Sequence, residues 1–145
     1  MAEVARIIPA SRDAVFAALA EPDTYPRWVV GAQRIRAVEG NWPAPGATFH
    51  HVVGAFPLRL RDSTSVLECA EGRLLVLEAR ARPMGRARVE LHLEEVPGGT
   101  RVRMVEFPTS GPARFAPDLV LAPSIRRRNH VSLERLEAVV TGSSD

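Results

Sequence analysis

The sequence contains one cysteine, Cys69, and no lysine, so all nineteen basic residues are arginine. A lone cysteine forms no disulfide within the chain and supplies no thiolate cluster for a metal. We therefore interpret Cys69 as a small, half-buried side chain and not as a nucleophile. The absence of lysine is as compatible with a GC-rich genome as with a selected property, and it carries no functional conclusion.

A strong charge of either sign is also missing, since the formal net charge is +2 over 145 residues. The arginines are scattered and mostly alternate along the predicted strands, whereas nucleic-acid binding favours basic residues on one face with aromatic residues between them. Nucleic acid is therefore not a predicted partner. The length fits a single domain over residues 1–145, with a flexible tail at 141–145.

Long apolar runs are absent as well. No stretch approaches the length that spans a bilayer, and Met1–Arg6 contains no apolar signal core. The sequence therefore predicts no membrane insertion and a cytoplasmic location.

The sequence shows no catalytic triad, phosphate-binding loop or metal-ligand spacing. His50 and His51 are neighbours on one predicted strand, so only one of them can face inward, and His92 belongs to another strand. We therefore predict no metal and no cofactor.

The longest pattern in the chain is an apolar stripe at helical spacing near the C-terminus. Its members are Phe115, Leu119, Ala122, Ile125, Asn129, Leu133, Leu136 and Val140. Asn129 is the one strongly polar member, so this helix carries an amide toward the surface that it covers. Pro123 predicts a kink, or two helical pieces, near Leu121–Ala122.

The preceding residues predict a sheet with two short helices after its first strand. Ser11 is a good N-cap for the first of these helices, and the second is predicted at Thr24–Val30. From residue 34 to residue 108 the period is two, which is typical of strands. The predicted strands are 4–8, 34–37, 48–53, 58–69, 73–81, 88–96 and 102–107.

The strands near the end of this region have one apolar and one polar face. Val89 and Leu91 alternate with Glu90 and His92, as expected for an antiparallel sheet covered on one side. The phase of 58–69 is open. Leu67 and Cys69 have the opposite parity to Asp62, so a bulge is predicted between them, and either Asp62 or Arg61 can face the interior. The predicted class is α+β, with seven antiparallel strands wrapped around a long C-terminal helix in the order β-α-α-β-β-β-β-β-β-α.

Four local motifs accompany this order of elements, at Ile8–Phe16, Asp23–Trp28, Gly98–Val102 and Ser132–Leu136. Together they resemble the helix-grip fold of the START-like (SRPBCC) superfamily, and its polyketide cyclase/dehydrase-like members in particular. The resemblance covers nearly the whole chain. It implies an apolar cavity between the sheet and the C-terminal helix, and members of the superfamily differ widely in function.

A set of inward-facing residues is predicted to line that cavity. It comprises Trp28, Phe49, His51, Leu60, Asp62, Leu77, Leu91, Met104, Glu106 and Asn129. Three of these, Asn129, His51 and Glu106, are also the candidates for catalysis. Trp28 either forms a wall of the cavity or closes one end of it as a structural residue.

Each catalytic candidate also has a structural interpretation. Asn129 either orients a ligand or forms a hydrogen bond with a side chain of the sheet, because an unpaired buried amide costs about 1–3 kcal/mol. Glu106 is either an acid–base group in an apolar pocket, a carboxylate in water at the rim of the sheet, or the partner of an arginine. His51 is a possible general base.

The first functional hypothesis is the binding of a hydrophobic small molecule that is lipid-, polyketide- or isoprenoid-like. The alternatives are a polyketide aromatase/cyclase-dehydratase that acts on a tethered or free chain, and an interaction domain that modulates a partner protein. Arg126–Arg128 is either a solvated helix face or a docking site for an acidic acyl carrier protein. The expected oligomeric state is a monomer or a weak homodimer.

Overall fold

A computed structural model describes residues 1–55, 58–81 and 85–142, with side chains for all of these except residues 33, 53–55, 58–61 and 81. The seven strands form one sheet in the order β1-β7-β6-β5-β4-β3-β2, and every neighbouring pair is antiparallel. The strands are Ala2–Ile8 (β1), Ala32–Glu39 (β2), Thr48–Ala55 (β3), Leu58–Ala70 (β4), Leu74–Ala81 (β5), Gly85–Val96 (β6) and Gly99–Ser110 (β7). The predicted α+β helix-grip fold is confirmed.

Two short helices connect β1 to β2. The first, α1 (Arg12–Leu19), begins as predicted at Ser11, whose hydroxyl accepts a hydrogen bond from the Ala14 amide at 3.1 Å. The predicted second helix over Thr24–Val30 is wrong in extent. A 3-10 turn at Pro22–Thr24 precedes a single helical turn, α2 (Tyr25–Trp28), and Val29 is extended. The Val30 amide donates instead to the Ser132 hydroxyl at 3.1 Å, which joins this segment to the C-terminal helix.

The C-terminal helix, α3 (Asp118–Thr141), is one continuous element, so the predicted division into two pieces does not occur. Pro123 lies in its second turn, and the backbone bond that it removes would have ended on the carbonyl of Leu119. Because Leu119 is exposed, that carbonyl lies near solvent and the loss is tolerated. Gly142 ends the helix in the left-handed conformation, and residues 143–145 of the predicted tail lie outside the described residues.

The buried stripe of α3 begins later than its sequence pattern predicts. Ala122, Asn129, Leu133 and Leu136 are buried, whereas Phe115 and Leu119 are exposed, and for these two the prediction is wrong. Phe115 belongs to a separate 3-10 turn at Pro112–Phe115, followed by the extended residue Ala116, so it does not share the helical phase. Leu119 lies in the first turn of α3, ahead of the first residue that packs against the rest of the chain.

The alternation of β4 breaks where the sequence predicts a bulge. Val66 pairs with Leu77 and Glu68 pairs with Val76, so Leu67 is the extra residue. Before the bulge Asp62 faces inward and is buried, and after it Leu67 is exposed while Cys69 is half-buried. The open choice between Asp62 and Arg61 is therefore resolved in favour of Asp62.

Candidate functional site

The concave face of the sheet is most tightly packed at one end. Along β7 the exposed fraction rises from 0% at Val102 to 5% at Met104 and 7% at Glu106, and Pro108 is half-buried. Along β5 the inward residues change in the same direction, from Leu75 to the half-buried Ala79. Ala87 on β6 pairs with Ala79 and is also half-buried. The interior therefore loosens toward the end of the sheet from which the chain enters α3.

A carboxylate lies on this face, held by two side chains of α3. Arg128 Nη2 lies 2.6 Å from each carboxylate oxygen of Glu106, and Asn129 Nδ2 donates to Glu106 Oε1 at 3.0 Å. Arg128 Nε closes the triangle by donating to Asn129 Oδ1 at 3.3 Å. Glu106 and Asn129 are buried, whereas the Arg128 side chain is 43% exposed. The network links β7 to the middle of α3 and leaves the guanidinium partly in water.

These contacts match one of the structural interpretations given for each residue. Asn129 forms a hydrogen bond with a side chain of the sheet, and Glu106 pairs with an arginine. Both oxygens of the buried carboxylate accept from a single nitrogen of a guanidinium that is always charged. Arg128 was not a predicted site residue, because it is one of three consecutive arginines on a polar helix face. The inward carboxylate at Glu106 is the signal that one of those arginines pairs with it.

A second polar group lies on β3 and β4. His51 pairs across the strands with Asp62, and its Nε2 lies 3.1 Å from the Thr64 hydroxyl. All three residues are buried. Burial lowers the pKa of His51 below its usual value, against the opposing effects of the Asp62 charge and the Ser63 backbone. At neutral pH His51 is therefore an uncharged imidazole, which can donate or accept a proton.

The pKa of His51 predicts a pH dependence of stability. The unfolded chain binds a proton at His51 near pH 6.5, whereas the folded chain binds it only at lower pH. The contribution of His51 to stability is therefore complete above pH 6.5, falls as the pH decreases below that value, and levels off below the folded pKa. Urea unfolding between pH 7.5 and pH 5 should show this decrease in the wild type and lose it in His51→Gln.

The control for this experiment is the neighbouring His50→Gln, which alters a half-buried histidine paired with Glu39. It should retain the decrease. Hydrogen bonds from Arg88 and His92 lower the pKa of Glu90, so its contribution is lost only near and below pH 4.5, outside this range. Equal slopes in the two histidine variants would contradict the assignment to His51.

The structure brings Glu106 and Asn129 together, but it places His51 elsewhere. Strands β6, β5 and β4 lie between Glu106 on β7 and His51 on β3. At the usual spacing of neighbouring strands, this separation is about 19 Å along the sheet. The three catalytic candidates therefore do not form one cluster. They belong to two separate polar groups along the concave face of the sheet, which we call the wall of the interior.

Trp28 and Phe49 belong to a buried aromatic cluster between α2 and β3. The Tyr25 ring packs against both, with centroid distances of 4.9 Å to each, and against Trp42 at 5.6 Å. Tyr25 and Trp42 both donate to the Leu19 carbonyl, at 2.7 and 3.0 Å. Burial raises the pKa of the Tyr25 hydroxyl, which keeps it protonated. These rings pack the space between α2 and β3, and Trp28 is almost fully buried among them.

The remaining predicted pocket residues belong to the hydrophobic core. Leu77, Leu91 and Met104 lie in the same buried cluster as Trp28 and Phe49, and Leu91 has no exposed surface. The side chain of Leu60 lies outside the described residues. The predicted lining thus comprises an aromatic cluster next to β3, an apolar middle, and two polar groups, one at Glu106 and one at His51.

A groove of about 820 Å³ opens elsewhere, between α1, the loop before β3 and the turn between β4 and β5. Its walls include Arg12, Phe16, Trp42, Cys69 and Glu71. Burial and the nearby Glu71 charge raise the pKa of Cys69, so the thiol stays protonated, as its interpretation as an unreactive side chain requires. Within the described part of the chain, no three histidine, cysteine or carboxylate side chains are grouped so that they could hold a metal ion.

The arrangement of the sheet and the C-terminal helix defines the class of protein. A long C-terminal helix lies against a seven-stranded antiparallel sheet, with two short helices after the first strand, which is the helix-grip arrangement. The chain belongs to the family described as polyketide cyclase/dehydrase and lipid transport, which matches residues 2–141. The family predicted from the motifs is confirmed. Among curated proteins, no sequence matches the chain.

Solved structures show the same fold at low sequence identity. A protein from Rhodobacter sphaeroides is 21% identical, with 98% of this chain and 92% of that chain covered and a TM-score of 0.76. Ara h 8.0201 is 20% identical, with 97% and 96% covered and a TM-score of 0.74. The di-domain ARO/CYC StfQ from the steffimycin biosynthetic pathway is 14% identical, with 97% and 50% covered and a TM-score of 0.74. This chain thus spans half the length of StfQ.

Among the described helices, none is long and apolar enough to cross a bilayer.

Proposed function

We propose that the protein binds a hydrophobic small molecule between the concave face of the sheet and α3. The observation that carries this proposal is the decrease in packing along that face, from fully buried residues such as Val102 to half-buried residues such as Ala87. A wall that is apolar, closed at one end and looser at the other, with a few directed polar groups, is typical of ligand sites. The family description supports a lipophilic ligand.

The two polar groups limit the shape of the ligand. Glu106 with Arg128 and Asn129 is one possible anchor, and His51 with Thr64 is the other. A ligand that contacts both must be extended, because Glu106 and His51 are separated by about 19 Å along the sheet. An elongated chain or a fused-ring molecule with oxygen atoms near its ends meets this requirement. Arg128 retains exposed guanidinium surface with which to bind a carboxylate or carbonyl of that ligand.

The proposal predicts that a bulky residue at the looser end of the wall blocks binding. Ala87→Trp should fill the space between β6 and α3 and weaken binding of a fluorescent fatty acid by tenfold or more, since it removes the apolar contacts of several methylene groups. Displacement of the probe by unlabelled fatty acid measures the affinity. The control is Arg86→Trp, an exposed position on the opposite face, which should bind as the wild type does.

Equal affinity in Ala87→Trp and Arg86→Trp would contradict this location of the site. No saturable binding by the wild type would contradict a fatty ligand and favour the other functions. Unfolding curves of both variants establish that they remain folded.

One observation favours a second candidate, a cyclase-dehydratase. His51 is a neutral imidazole on the same wall, and a positioned neutral histidine can remove and return a proton during an aldol cyclisation or a dehydration. In this alternative His51 is the base, and Asn129 with Glu106 orients the chain. Catalysis would then depend largely on how the wall positions a flexible substrate.

A further inference from the structure

Three large apolar side chains project into solvent where the chain enters α3. Phe115, Leu119 and Val120 are 76%, 88% and 69% exposed, more than any other large hydrophobic side chain in the described ranges. We call these three residues the apolar tip. Ordinary surfaces carry exposed apolar residues singly, so three within six positions indicate a surface that meets another apolar phase.

The backbone holds the tip in a defined shape. The amides of Arg114 and Ala116 donate to the carbonyls of Gly111 and Ala113, at 3.1 and 3.2 Å, in the turn before α3. The N-terminal ammonium group of Met1 binds the Asp118 carboxylate at the start of the helix. The exposed apolar surface is thus presented by hydrogen-bonded structure.

Arginines accompany the tip. The Arg114 guanidinium lies 4.9 Å from the centre of the Phe115 ring. Arg126 and Arg127 follow Leu119 and Val120 by seven positions, so they lie on the same face of α3 about 10 Å along the helix, and both are exposed. The nearest acidic residue in the sequence, Asp118, is bound by Met1. An apolar tip with cations beside it is complementary to a surface that is apolar inside and anionic outside.

We infer that the apolar tip docks onto an anionic lipid surface. Apolar side chains at the boundary of headgroups and acyl chains, with arginines on the phosphates, are the usual features of peripheral membrane contacts. A specific protein interface needs about 800 Å² on each partner, whereas three side chains supply only a few hundred. This contact is peripheral and involves no spanning helix. It does not depend on the proposed ligand.

The test is co-sedimentation of the full chain with phosphatidylcholine vesicles, with and without phosphatidylglycerol. The wild type should bind the anionic vesicles, and binding should weaken as salt is raised. Leu119→Ser/Val120→Ser should lower the partition coefficient tenfold or more, because two apolar side chains no longer enter the bilayer. Val38→Ser/Leu67→Ser changes two exposed apolar residues away from the tip and should leave binding unchanged.

The charge contribution has its own pair of variants. Arg126→Gln/Arg127→Gln should weaken binding and reduce its dependence on salt, whereas Arg101→Gln/Arg103→Gln, with the same change in net charge on β7, should not. Failure of the wild type to bind anionic vesicles would overturn the inference. So would equal losses in the tip and control variants. Binding of an acidic acyl carrier protein through Arg126 and Arg127, without binding of vesicles, would also overturn it.

Discussion

Leu133→Ala is expected to lower the free energy of unfolding by about 2–5 kcal/mol, one of the two largest effects that the structure predicts. Leu133 is a residue of α3 with no exposed surface, and it belongs to the same core cluster as Ile8, Val15 and Leu19. Truncation removes buried methyl groups and leaves a cavity, which the surrounding helices and strands fill only in part. Urea unfolding monitored by tryptophan fluorescence measures the change.

The matched control is Leu119→Ala on the same helix. Leu119 is almost fully exposed, so the same truncation there should change stability by no more than about 0.5 kcal/mol. Similar losses at the two positions would show that α3 lies on the sheet with a different phase. The pair therefore tests whether the buried stripe of α3 excludes Leu119, as the structure shows.

The second large effect is expected at Arg128. Arg128→Met should destabilise the protein by about 1–3 kcal/mol, because the buried carboxylate of Glu106 then keeps only the amide of Asn129 as a donor. The larger loss of stability that follows when a fully buried ion pair is broken is not expected here, because the Arg128 side chain is 43% exposed and partly screened by water. The adjacent Arg127→Met removes an exposed side chain and should have little effect.

A double variant separates the ion pair from packing. Glu106→Gln in the Arg128→Met background should recover part of the lost stability, because a neutral amide is less costly to bury than an uncompensated carboxylate. Additive losses would mean that Arg128 contributes through its alkyl chain alone. Equilibrium unfolding of the two single variants and the double variant provides the coupling energy.

The sequence predicts the fold well where one period persists over many residues. The alternation of Val89 and Leu91 with Glu90 and His92 identifies the faces of β6. The bulge near Leu67 is predicted in the same way, from a break in the alternation of β4. It predicts the short elements less well. The helix proposed at Thr24–Val30 is reduced to one turn, because Val30 bonds to Ser132, 102 residues away. The helix propensity of residues 24–30 gives no information about a contact with a residue so distant in the sequence.

The candidate site is predictable in part for the same reason. Asn129 and Glu106 are each out of place in an apolar pattern, and the structure joins them. The inward carboxylate at Glu106 indicates an arginine partner, but no pattern identifies Arg128 among the three consecutive arginines, because its long side chain reaches the sheet from the edge of a polar helix face. The separation of His51 from Glu106 depends on the strand order β7-β6-β5-β4-β3. Inward phase alone does not indicate which inward residues are neighbours.

The central claim, a hydrophobic ligand on the concave face, is tested most directly by native mass spectrometry of the protein purified gently from its own host. We expect a defined additional mass on the wild type and on Arg86→Trp, and its absence from Ala87→Trp. A fatty or isoprenoid mass would support the binding function, and an aromatic polyketide would support the cyclase alternative. A bare chain in every growth phase, or the same mass on all three proteins, would contradict the claim.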